Sequence, residues 1–150
     1  MIPQSIEQSI SKPAMTDVAS LQKTLDTLVA GYVRRLNLRV ESIGEDGVTL
    51  SLPVTAELIH GGGVMCGQAL MSAADTAILA AMIARIGSFR PMTTVQLQTS
   101  FLRPVPKDAV SVTVVARVLR FGKTLSYGEV EFLTADGKLA AKATTTYALI

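Results

Sequence analysis

A chain of 150 residues has the length of one domain, long enough to bury a sizeable core and too short for two ordinary ones. Its formal charge is only +2, and its Lys and Arg residues are scattered, with no basic run interleaved with aromatics, which argues against a nucleic-acid groove. Hydrophobic residues reach 49% against 17% charged, more apolar surface than a monomer of this size readily hides, so an oligomer is expected.

Cys66 is the sole cysteine and His60 the sole histidine, which leaves no disulfide framework and no Cys/His cluster spaced for zinc. A reducing, cytoplasmic setting without a metal is the expectation. Residues 1–15 are polar, carry Pro3 and Pro13, and lack the basic and then apolar runs of a signal peptide. They read as a flexible tail ahead of a single domain over residues 16–150.

Thr16 or Asp17 is a candidate N-cap for a short amphipathic helix, in which Val18, Leu21, Leu25, Leu28, Val29 and Tyr32 recur at helical spacing up to about Gly31. Leu36, Leu38 and Val40 then alternate with polar residues. The turn Gly44-Glu45-Asp46-Gly47 follows, and Val48, Leu50, Leu52 and Val54 alternate in turn, which predicts a hairpin. Further on, Val95, Leu97, Thr99 and Phe101 share one side of a strand, with Gln96, Gln98 and Ser100 on the other. Period-2 runs follow from Val110 to Val118, Leu125 to Thr134 and Leu139 to Leu149. Short turns at Arg120-Phe121-Gly122-Lys123 and Asp136-Gly137 make these strands antiparallel neighbours. The layout is α+β, with one long helix laid against a curved antiparallel sheet of about six strands.

That long helix is the apolar stretch ending at Ile86. By length it could pass for a membrane span, but Asp75 lies at its middle, and an Asp near a bilayer centre costs roughly 3 kcal/mol. A buried helix, without membrane contact, is the better reading. Seven alanines between Ala69 and Ala84 give it a narrow waist around which a sheet can wrap closely, so burial nearly all round is predicted. Asp75 then needs a reason: it is paired, faces another subunit or faces a ligand cavity, and composition alone leaves these open. The nearest cation along the helix, Arg85, lies ten residues on. Ahead of the helix, Gly61-Gly62-Gly63 lead towards its N-terminus, where backbone N–H groups at the positive end of the dipole suit a phosphate, a carboxylate or the oxyanion of acyl transfer. Neither a Walker loop nor a dinucleotide fingerprint is present.

The frame His60-Gly61-Gly62-Gly63-Val64-Met65-Cys66-Gly67-Gln68, followed by Ala73-Ala74-Asp75-Thr76-Ala77, resembles the hot-dog-fold acyl-CoA thioesterases of the PaaI-like (phenylacetate-degradation-type) group. That group usually opens its helix with Asn-x-x-Gly-x-x-His-Gly-Gly and carries an Asp nine residues after the His. Gly63, Gly67, Asp75 and Ala77 fall in register; His60 stands for the Asn, Cys66 for the His and Gln68 for the second Gly. Phe101-Leu102-Arg103-Pro104, Arg120-Phe121-Gly122-Lys123 and Asp136-Gly137-Lys138-Leu139-Ala140 extend the resemblance over nearly everything from Leu36 to the C-terminus.

The resemblance implies a hot-dog fold, a homodimer or dimer of dimers with shared sites, and hydrolysis of an acyl-CoA or related thioester. Coenzyme A would enter as part of the substrate, and no cofactor is needed. It assigns Asp75 as general base or nucleophile, the Gly67 N–H as oxyanion donor, and Thr94, beside Thr93, as the residue holding water. His60 is a candidate second donor. Gly63, Cys66 and Gln68 would line the substrate, and Arg103, Lys107, Arg120 and Lys123 are candidates for the nucleotide phosphates, though each is equally an ordinary solvated charge. Cys66 reads as a packing residue and not a nucleophile. Two rivals remain: a non-catalytic acyl-CoA-binding protein, and a hydratase or dehydratase. The latter is weaker because those enzymes pair a carboxylate with a His on or near the central helix, and this helix has none.

Overall fold

The computed structural model describes residues 17–150, so the expected tail and Thr16 lie outside the described residues. Helix α1 (Val18–Leu28) opens on Asp17, whose carboxylate accepts from the Ser20 N–H at 2.8 Å and the Ser20 hydroxyl at 2.7 Å. These bonds hold the Asp17 carboxyl below its ordinary value. The predicted helix is shorter than its apolar pattern: α1 stops at Leu28, and a separate turn of helix, α2 (Gly31–Arg34), follows. Tyr32 lies outside the apolar face, 62% exposed, because the break after Leu28 rotates it away from Leu21 and Leu25, which are buried.

The strands are β1 (Arg39–Ile43), β2 (Gly47–Pro53), β3 (Met92–Phe101), β4 (Ser111–Phe121), β5 (Leu125–Leu133) and β6 (Leu139–Leu149). They form one antiparallel sheet in the order β1-β2-β4-β5-β6-β3. Leu36 and Leu38, predicted as strand, are buried ahead of β1, where Asn37 takes a positive φ of 56°. Strands β1 and β3 are the two edges. The β1 edge is covered: the Gln22 side chain of α1 donates to the Leu38 carbonyl at 3.1 Å and accepts from the Val40 N–H at 2.7 Å, so it acts as a piece of neighbouring strand.

Helix α3 (Gly67–Ile86) crosses the concave face and packs on β2 and β4 most extensively. It is long and apolar enough to cross a membrane by length and composition, yet 61% of its apolar window is buried inside the domain. The alanines do what a narrow waist requires: Ala73, Ala74, Ala77 and Ala80 are fully buried against the sheet. Gly128 of β5 completes the fit, because a Cβ there would stand 2.6 Å from the Ile78 Cδ1 and 2.8 Å from the Arg117 carbonyl oxygen.

Burial is not all round, contrary to the expectation from composition. Gln68 and Met71 are exposed, and Ser72, Asp75 and Leu79 are half-buried, a stripe at helical spacing that the sheet does not cover.

Strand β3 departs from strict alternation. Its register against β6 runs Thr94 to Tyr147 and then Gln96 to Thr146, skipping Val95. This bulge turns Val95 outward, 59% exposed, away from the side it shares with Leu97 in the sequence pattern. It also puts Thr94 on the same side as Leu97 and Thr99, facing the helix. The buried Thr145 hydroxyl donates to the Gln96 carbonyl at 2.7 Å and so holds the bulge.

Candidate active site

Asp75 sits at the middle of α3, on the open stripe. Its Oδ1 accepts from the Thr94 hydroxyl at 2.6 Å and lies 2.7 Å from the Tyr147 hydroxyl, which is also 2.6 Å from the Asp75 backbone carbonyl. All three lie at the short end of the O–H···O range. Thr94 and Tyr147 are direct cross-strand partners on β3 and β6, so the bulge that turns Thr94 inward brings both hydroxyls to one carboxylate. Among the described residues no cation pairs with Asp75, and its Oδ2 accepts no hydrogen bond. Tyr147 is buried, and that burial, followed by the neighbouring Asp75 charge, pushes its phenol above the ordinary value, so it stays a proton donor.

Thr94, which the resemblance assigns to holding water, here donates its hydroxyl to Asp75 itself. Tyr147 was not singled out from the sequence, where it reads only as one more residue in the period-2 run of β6. A buried tyrosine must still place its hydroxyl, and that requirement is the one signal that could have found it.

The N-terminus of α3 is the second element. Cys66 takes the N-cap position without a side-chain hydrogen bond to the helix, so no side chain there claims the first N–H groups. Its own N–H goes to the Leu58 carbonyl at 2.8 Å, while the Met65 N–H goes to Val105 at 2.8 Å. These bonds, with the bridges of Ile59 to Met65 and Val64 to Pro106, fix the approach to the helix. Gly67 faces the Phe101 ring: a Cβ at Gly67 would lie 3.1 Å from its Cζ. Gln68 is exposed in the first turn, and Cys66 is half-buried against the core.

The three glycines form a closed turn. The Gly63 N–H bonds the His60 carbonyl at 3.0 Å, with Gly63 at φ 81°, and the His60 N–H bonds Val64 at 3.0 Å. His60 is exposed and folds its ring over Gly62, whose N–H donates to Nδ1 at 2.8 Å; a Cβ at Gly62 would stand 2.6 Å from the ring. With Nδ1 accepting that bond, Nε2 is the ring nitrogen left to donate.

The cations do not gather in one chain. Arg103 follows β3 at the end of the sheet near Gly67, where its guanidinium donates to the Leu139 carbonyl at 2.8 Å. Arg120 and Lys123, both exposed, lie at the β4–β5 turn, at the opposite end, where Arg85 of the last helical turn stacks 5.4 Å over Phe121. Lys107 is exposed beside the glycine turn, its N–H bonded to the Gly63 carbonyl at 3.1 Å.

Residues 62–141 match the family model of the thioesterase superfamily. A Saccharolobus solfataricus protein carrying a provisional esterase name is 36% identical over 109 residues, 72% of this chain and 75% of the relative. One from Thermoplasma acidophilum with a name of the same kind is 29% identical over 117 residues, 78% of this chain and 86% of the relative. Among solved structures, a conserved protein of Pseudomonas aeruginosa aligns with a TM-score of 0.75 and 32% identity over 83% of this chain and 98% of that one. The PaaI protein of the E. coli phenylacetic acid degradation operon aligns with a TM-score of 0.75 over 89% of this chain and 95% of its own, at 21% identity, a likeness of fold alone. The chain belongs to the thioesterase superfamily and has its hot-dog fold, and that membership, with the esterase names of its relatives, puts it among the thioester hydrolases.

Proposed function

We propose that the protein is a PaaI-like acyl-CoA thioesterase in which Asp75 drives the chemistry. The observation that carries this reading is the state of its carboxylate: half-buried in the central helix, held through Oδ1 by two hydroxyls and, among the described residues, without a cation or a hydrogen bond to Oδ2. That oxygen is not among the buried atoms left without a partner, so it opens to solvent, where a water or a substrate can reach it.

Asp75 takes a proton from water as that water attacks the thioester carbonyl carbon. The carbonyl π pair moves to oxygen, and collapse of the tetrahedral adduct breaks the C–S bond to give the acid and the thiol, which receives the proton. In the alternative course Asp75 itself attacks, forming a mixed anhydride that water then cleaves. The oxyanion rests on the Gly67 N–H at the uncapped N-terminus of α3, with His60 Nε2–H as a second donor.

One helix cannot supply both groups to one carbonyl. Gly67 and Asp75 are eight residues apart, about 12 Å along the axis at 1.5 Å per residue. The reading therefore requires a second copy, with Asp75 of one protomer facing the α3 N-terminus of its partner. Two features support a homodimer of this kind. The Gln68–Leu79 stripe of α3 is uncovered, and β3 is an edge strand of ten residues with no charge, no proline and exposed Val95 and Phe101. Edges left in that condition invite pairing. A dimer of dimers is compatible with the same arrangement, and a cytoplasmic setting suits a coenzyme A thioester.

Gly63, Cys66 and Gln68 would flank the acyl carbonyl, Arg103 lies at the same end of the sheet as the helix N-terminus, and Arg120 and Lys123 would meet coenzyme A only from another protomer. The test is thiol release over a panel of acyl-CoAs: turnover of at least one is expected, and binding without turnover would favour a non-catalytic acyl-CoA binder instead.

A further inference from the structure

We infer that Tyr147 is a positioning residue for the reaction: together with Thr94 it occupies Oδ1 of Asp75, so that Oδ2 is the oxygen presented to water or substrate. The inference rests on the reading of Asp75 as the reacting carboxylate and extends it to which atom reacts and what holds it.

A buried tyrosine needs one acceptor, and a helix carbonyl alone would suffice for stability. Tyr147 does more than that. Its hydroxyl lies 2.6 Å from the backbone oxygen and 2.7 Å from the carboxylate oxygen of the same residue, so main chain and side chain of Asp75 are gripped by one group. The single phenolic proton is shared between these two acceptors while the Thr94 hydroxyl donates to Oδ1 from the other side at 2.6 Å. The ring is 4% exposed and has only two side-chain torsions, which its packing on β6 fixes, so the hydroxyl is a stationary reference point. A half-turn of the carboxylate about its χ2 only exchanges two equivalent oxygens, whereas any smaller rotation breaks both bonds. The arrangement therefore fixes the plane of the carboxylate and the place of its free oxygen before substrate arrives, the condition under which placement contributes most to rate.

Tyr147→Phe removes one oxygen and keeps the ring. It is to be assayed on the full chain with the acyl-CoA that the wild type turns over fastest, and with the non-hydrolysable thioether analogue of that acyl-CoA as the binding probe. The expected result is a kcat lower by roughly 10- to 100-fold, with KM and analogue Kd changed by less than about twofold. Incorporation of 3-fluorotyrosine at position 147, which keeps both the shape and the donor, should hold kcat near wild type. Wild-type kcat in Tyr147→Phe would overturn the inference. So would a loss shared by KM and analogue affinity, or an equal loss with 3-fluorotyrosine, either of which marks a packing role. Asp75→Asn, run alongside, separates the two levels: full activity there refutes the carboxylate reading itself, whereas an inactive Asp75→Asn beside a fully active Tyr147→Phe refutes only the role of Tyr147.

Discussion

Gly128 is where the sheet comes closest to the central helix, and replacing it by alanine tests whether that distance is set by packing. The added methyl would meet the Ile78 Cδ1 at 2.6 Å and the Arg117 carbonyl oxygen at 2.8 Å. The first contact could be relieved by turning an isoleucine, but Ile78 is 2% exposed and has little room. The second is with backbone in the β4–β5 ladder and has no rotamer to change. Overpacking of this kind costs about 1–3 kcal/mol. For a domain of this size each kcal/mol moves Tm by about 2–4 °C, so a fall of roughly 2–12 °C is expected. Gly31→Ala is the matched control: nothing lies within 4 Å of a Cβ there, and its backbone is helical, so its Tm should hold or rise slightly. Thermal unfolding followed by circular dichroism measures both. A Gly128→Ala protein that melts with the wild type would show that the helix is not held at contact distance.

Two further predictions concern the site. His60→Ala removes the Nε2–H donor and should lower turnover by roughly 10²-fold if that group meets the oxyanion; steady-state thiol release measures it, and an unchanged rate would make His60 a bystander. Thr94→Val keeps the shape of the side chain but takes away one donor to Oδ1. A hydrogen bond to a charged group is worth about 1.5–3 kcal/mol, so turnover should fall by about tenfold or more, and a rate equal to wild type would contradict the assignment.

The strands and the central helix were legible because each is governed by one period over many residues. Val112, Val114 and Ala116 alternate without interruption, and all are buried. Asp75 was legible as an anomaly, and its register with Gly63 and Gly67 through the family frame. What alternation could not express was the bulge at Val95. A strict period-2 reading keeps Val95 in phase with Leu97 and sets Thr94 with the outward glutamines, whereas one skipped residue reverses both. Thr94 was reached through the resemblance instead, and the bulge supplies its physical reason. Tyr147 was hidden for a related cause: its partner lies 72 residues away in sequence, and no local pattern records a hydroxyl that reaches from a strand to the helix. The open stripe on α3 was missed because alanine content predicts how closely a sheet can approach, but not how far around the helix it extends. Gln68, Met71 and Ser72 carried the needed hint, being polar or flexible at one helical face.

The role of Asp75 is tested most directly by Asp75→Asn, assayed for thiol release with the fastest acyl-CoA and for binding of its thioether analogue. The asparagine keeps the size of the side chain and can still accept from Thr94 and Tyr147, but it can neither take a proton from water nor attack a carbonyl. Analogue affinity close to wild type with turnover lower by orders of magnitude is the predicted result. Thiol release at the wild-type rate would contradict it.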